Sequence, residues 1–119
     1  MHELGIVFYI IRDVEEALRG AEVTAVQSVT LELGEVSGVV PSYLQHAWRW
    51  AADKHDLLRG SELIIEDIPA VTRCNACGAR YGTVEHGRVC PECGSENTVL
   101  EQGQEVMIKE VAVEPAEER

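Results

Sequence analysis

Two cysteine pairs constrain this chain more than anything else in it. Cys74-Asn75-Ala76-Cys77-Gly78 and Cys90-Pro91-Glu92-Cys93-Gly94 repeat a C-x-x-C-G pattern, with twelve residues between Cys77 and Cys90. The C-x-x-C step lets two thiolates converge on one ion, and the glycine that follows lets the backbone turn sharply. Four sulfurs at tetrahedral geometry suit Zn²⁺ in a closed site, with no coordination position left for a substrate. Iron–sulfur ligation and a pair of disulfides are the chemical rivals. A signal-peptide reading of Leu4 to Ile11 fails, because the run is short, follows Glu3 and ends at Arg12-Asp13. A cytoplasmic location is therefore expected, where thiols are more often metal ligands than disulfides.

The segment around these pairs needs an ion. Residues 70–103 hold one tyrosine and a few valines, and segments below about 40 residues rarely bury a sufficient core unaided. Zinc at such a site contributes on the order of 10–16 kcal/mol at neutral pH. A structural role follows. His86, four residues before Cys90, could exchange with a thiolate as pH falls; ordinarily such a histidine is a solvated loop residue.

Around this segment the apolar pattern changes period. Leu4, Val7, Phe8, Ile11, Val14 and Leu18 step by three and four, which predicts a helix from Leu4 to about Arg19. Val29, Leu31 and Leu33 alternate as in a half-buried strand. Pro41 suits the first turn of a second helix, reaching toward Gly60 with Leu44, Ala47, Trp48, Ala51 and Leu58 on its inner side. Ser61–Ile68 and the stretch from Glu105 read as further strands. The expected fold is α+β: a small three-stranded sheet covered by two helices, formed by residues 1–69 plus 104–119. Residues 70–103 form an inserted zinc-ribbon-like module with rubredoxin-type knuckles. The net charge of −11 argues against nucleic acid and against anionic membrane surfaces. No stretch approaches the roughly 20 apolar residues of a membrane span, so membrane insertion is not expected.

A second metal reading arises at Met1-His2-Glu3. The terminal amine, the backbone nitrogen of His2 and its imidazole can reach one cation through small chelate rings. Ni²⁺ and Cu²⁺ favour the square-planar nitrogen set that results. The backbone nitrogen or carboxylate of Glu3 is a candidate fourth donor. The plainer reading is a frayed terminus, with Glu3 complementing the dipole of the first helix. A histidine following the initiating methionine generally blocks its removal, so the amine is expected to be that of Met1. The entrance to the second helix, Gly38-Val39-Val40-Pro41, supplies no carboxylate of its own.

The M-H-E start, VTLELGEVSGVVP, the EDIPA lead into the cysteine pairs and the closing GQEVMIKEVAVE together resemble the HypA/HybF family. These are nickel metallochaperones of [NiFe]-hydrogenase maturation, and some also serve urease. The resemblance implies Ni²⁺ on Met1, His2 and Glu3, and structural Zn²⁺ on Cys74, Cys77, Cys90 and Cys93. It also implies delivery with the maturation GTPase HypB to the hydrogenase large subunit. No nucleophile–base pair, catalytic carboxylate pair or phosphate loop points to an enzyme. The rival is a zinc-ribbon adaptor that binds protein partners and no nickel. His55 is expected at the core edge rather than as a ligand. Trp48 and Trp50 lie about 200° apart on a helix, so one face cannot bury both. Trp50 is then either packed on a neighbouring element or an anchor for a partner.

Overall fold

The structure, a computed structural model, describes residues 3–115. Its elements in chain order are α1 (Glu3–Ala17), β1 (Val23–Gly34), α2 (Pro41–Ala52), β2 (Glu62–Ile68), β3 (Val71–Cys74), β4 (Arg80–Gly82), α3 (Thr83–His86), β5 (Thr98–Gln102) and β6 (Val106–Pro115). They form two three-stranded sheets, ordered β2-β1-β6 and β4-β3-β5. The fold is α+β, as expected. Two compact units result, one of residues 3–31, 39–66 and 107–115, the other of 32–38 and 67–106. The sequence predicts boundaries at 69/70 and 103/104; by compactness residues 32–38 group with the cysteine-bearing segment.

In the first unit α1 packs against α2. The buried stripe of α1 is Val7, Ile10, Ile11 and Val14, a narrower i, i+3, i+4, i+7 face than the sequence suggests. Phe8 is 47% exposed and Leu4 38%; both sit on the flank of the stripe, and the expectation that they line the core is corrected. On α2 the buried residues are Leu44, Trp48, Ala51 and Ala52. Trp48 donates its Nε1–H to the Ser61 carbonyl at 3.2 Å. Trp50 is exposed with Lys54 Nζ 4.3 Å over its ring, so it is not packed into a core. His55 sits half-buried at the core edge, its Nδ1 3.1 Å from Glu15 of α1.

The second helix is shorter than its apolar pattern implies. It stops at Ala52, and i→i+3 bonds from Lys54, His55 and Leu58 carry the chain through tight turns. Asp53 explains the stop. Its carboxylate accepts from the Arg49 guanidinium and from the Gly60 N–H at 3.0 Å, which closes the turn on itself. Leu58 is still fully buried, but a turn delivers it rather than a helix face.

In the second unit β3 pairs antiparallel with both β4 and β5, with an irregularity between Val71 and Thr72 on the β5 side. Its buried apolar cluster is small: Cys74, Tyr81 and Cys90, with Ala79 against them. Tyr81 donates its hydroxyl to the Gly87 carbonyl at 2.9 Å.

Candidate metal centre

The two cysteine knuckles are built by the same pair of backbone bonds. Cys74 N–H donates to Ala79 O at 2.8 Å, and Gly78 N–H returns to Cys74 O at 2.9 Å. Sixteen residues later, Cys90 N–H donates to Ser95 O at 2.9 Å and Gly94 N–H to Cys90 O at 2.8 Å. Gly78 and Gly94 adopt φ of +79° and +76°, where a side chain costs about 1 kcal/mol or more. That is the physical content of the C-x-x-C-G pattern.

Each knuckle buries its first cysteine and exposes its second. The four Sγ atoms lie within 4.8 Å of one another, with Cys74–Cys93 and Cys77–Cys90 both 3.6 Å apart. A disulfide needs about 2.05 Å, so the four are thiols. Four sulfurs about 2.3 Å from one tetrahedral ion sit about 3.8 Å apart, close to the spacing seen.

The electrostatics suit a dication. The Cys77 N–H, and then the Ala76 N–H, aimed at the Cys74 sulfur bring its pKa down to about 7 against the opposing effect of burial. At Cys77 the Ala79 N–H also favours the thiolate, but the neighbouring sulfurs and burial outweigh it and push the thiol up to about 12. Cys93 has its thiolate favoured by the Ser95 N–H and is raised by the Cys74 sulfur and burial. Local amides thus prepare individual thiolates, while four negative charges cannot share this space without a cation. The donor set fits a closed tetrathiolate ion site.

Polar contacts brace the site. Asn75 N–H donates to the Asn97 carbonyl at 2.9 Å, and the two amide side chains meet at 3.2 Å. Arg73 and Arg80 both reach Glu101 of β5, at 3.4 and 2.9 Å. His86 is the last residue of α3, its ring edge-on to Tyr81 at 5.8 Å, and it is not one of the four clustered ligands.

The residues expected at the other metal site divide differently. Met1 and His2 lie outside the described residues. Glu3 begins α1, and its Oε2 accepts the Val40 N–H at 3.4 Å. Val40 is the N-cap of α2 and has no side-chain cap of its own. The carboxylate that the helix entrance lacks in sequence is therefore supplied from α1.

The family model for "Hydrogenase/urease nickel incorporation, metallochaperone, hypA" matches residues 1–113. The chain belongs to the HypA family. Relatives are the hydrogenase maturation factor HypA of Streptomyces avermitilis, 37% identical over 93% of this chain and 86% of that protein. The HypA of Geobacter metallireducens is 34% identical, over 96% of this chain and all of its own. Among solved structures, the nickel metallochaperone HypA from Helicobacter pylori superposes with a TM-score of 0.71, covering 98% of this chain and all of that one. At 24% identity this last likeness shows the HypA fold alone.

Sequence reasoning missed Glu35, Gly103 and Glu105. Glu35 accepts the Ala70 N–H at 2.8 Å and Glu105 the Gly103 N–H at 2.7 Å, so both carboxylates hold linker backbone of the cysteine-bearing unit in place. The signal available was the Gly-Glu step of LELGEVSG, which by itself reads only as a turn.

Proposed function

We propose that this HypA-family chain is a nickel metallochaperone that takes up Ni²⁺ at its N-terminus and releases it for [NiFe]-hydrogenase maturation. The Met1 amine, the backbone nitrogen and imidazole of His2, and Glu3 hold the cargo. Nickel prefers the planar nitrogen set that amine, amide and imidazole provide, and zinc does not. A site at a chain end can be dismantled without opening a core, which suits a carrier. Cys74, Cys77, Cys90 and Cys93 hold a structural Zn²⁺; the ion neutralises the thiolates and orders a segment that has little apolar core of its own. In this division, residues 1–69 plus 104–119 carry the cargo and 70–103 the resident ion. The partners are the maturation GTPase HypB and the hydrogenase large subunit, with urease as a second recipient. The chain works in the cytoplasm and catalyses no reaction. Among the described residues no helix is long and apolar enough to cross a membrane.

The observation that carries this reading is the family match running from the first residue. The four converging thiols support the second ion. The test is nickel titration of untagged protein beside His2→Ala and an N-terminally extended form, with metal analysis of each. One tightly held nickel is expected in the first and none in the other two, with one zinc retained throughout. Undiminished nickel uptake by the extended form refutes the terminal site. Zinc without nickel in all three points to the adaptor reading.

A further inference from the structure

The end of β1 is bound up with the linkers of the cysteine module, far from it in sequence. Gly34 N–H donates to Glu105 O at 2.7 Å, Glu35 N–H to Ile68 O at 2.8 Å and Val36 N–H to Gly103 O at 2.8 Å. Three successive amides of one turn thus fasten both linkers: the one entering β3 and the one leaving β5. The Glu35 carboxylate adds the Ala70 N–H at 2.8 Å. The linkers are also tied to each other, through Gln102 Nε2 to Pro69 O at 2.8 Å.

The contact is too close for side chains. A Cβ on Gly34 would lie 2.0 Å from the Gly103 oxygen, and one on Gly103 would lie 2.6 Å from Ala70 Cα. Both obstacles are backbone, which cannot swing aside. All of these residues fall within the second compact unit.

We propose that the Gly34–Glu35–Val36 turn is a latch whose closure depends on the ion in the four-cysteine cluster. The chain of cause is short. Ala70 immediately precedes β3, four residues before Cys74, and β5 starts at Thr98, whose own hydroxyl holds the Arg88 carbonyl at 2.8 Å near the second knuckle. β3, β4 and β5 are three to five residues long, too short to persist without the packing between them. That packing is little more than two cysteines, Tyr81 and Ala79. With the ion gone the strands loosen, the linkers lose their fixed separation, and the three amides of Gly34 and the turn after it lose their acceptors. Metal occupancy is then reported to the turn at the end of β1, some 40 residues upstream of the first cysteine. The reasoning rests on the reading that the cluster holds a metal.

The experiment is amide hydrogen exchange on the full chain, before and after removal of the metal by a tight chelator, with metal content measured in each sample. Loss of protection is expected at residues 34–36, 68–70 and 103–105 as well as at Gly78 and Gly94, while Ile10–Val14 and Leu44–Ala51 stay protected. Opened knuckles beside an unchanged 34–36 turn overturn the latch and leave the metal reading intact. Equal loss in α1 and α2 means global unfolding and also overturns it. A protein with no metal, as isolated or after reconstitution with Zn²⁺, fails the underlying reading instead. In the metal-loaded protein, Glu35→Ala should raise exchange at Ala70 about tenfold, the factor one charge-assisted hydrogen bond carries. Glu35→Gln, which keeps an acceptor, should restore most of that protection. An Ala70 amide equally protected in wild type and Glu35→Ala counts against the latch.

Discussion

Single residues in this protein act mainly by accepting backbone N–H groups that the fold would otherwise leave unpaired. Asp53, Glu35, Glu105 and Glu3 all do so, each at the end of an element or in a linker. Asp53 is the case with a pH signature. Its carboxyl is held below 3.8, first by the hydrogen bond from Arg49 and then by the Gly60 N–H. A carboxyl whose folded pKa is depressed stabilises the fold above its unfolded pKa, and that stabilisation is lost as pH falls through the folded value. Asp53→Asn should therefore lower the urea midpoint at neutral pH, and the two proteins should converge at pH values below the ordinary carboxylate range. A difference that persists undiminished in acid would point to a role other than the charge. Since Asp53 is solvent-facing, the effect is expected to be modest.

At the scale of elements, the helices test how burial is allocated. The 3–4 spacing of α1 is plain in the sequence, yet which of its apolar residues are covered is not. Ile10 and Ile11 are 4% and 2% exposed where Phe8 is 47%. Ile11→Ala is expected to cost about 2–4 kcal/mol in urea unfolding, and Phe8→Ala less than about 1. Comparable losses would reinstate the wider stripe. On α2 the apolar period continues past the point where the helix ends, because Leu58 satisfies it from a turn. Periodicity reports which side chains are buried; it does not report whether helical hydrogen bonds bring them there. The strand β1 reads as strand from Val29 to Leu33, but it begins at Val23. Its first three residues are half-buried or exposed and the alternation breaks at Ala25-Val26, so the pattern is weak where pairing in the sheet decides.

For the whole molecule, the expected dependence on metal is uneven. The first unit has a core of Val7, Ile11, Leu31, Leu44, Trp48 and Leu58, all 2% exposed or less, whereas the second has little beside the thiols and Tyr81. Chelation, or Cys90→Ser, should abolish the near-ultraviolet dichroism of Tyr81 and retain that of buried Trp48. Loss of both signals together would mean that the chain folds as one cooperative block. The knuckles, α1, α2, the strands β1, β2 and β6 and the likeness to a nickel carrier could be read from the residues, whereas β3, β4, α3 and β5 of the cysteine module could not. A C-x-x-C-G turn closes within about six positions, and an amphipathic repeat is expressed within one element. Tertiary structure alone decided the width of α1's buried face, the reach of Glu3 to Val40, and the membership of residues 32–38 in the cysteine-bearing unit. Each of these depends on partners widely separated in sequence, such as Glu35 and Ala70 at 35 residues apart. No local pattern encodes an acceptor that only the folded chain brings within reach.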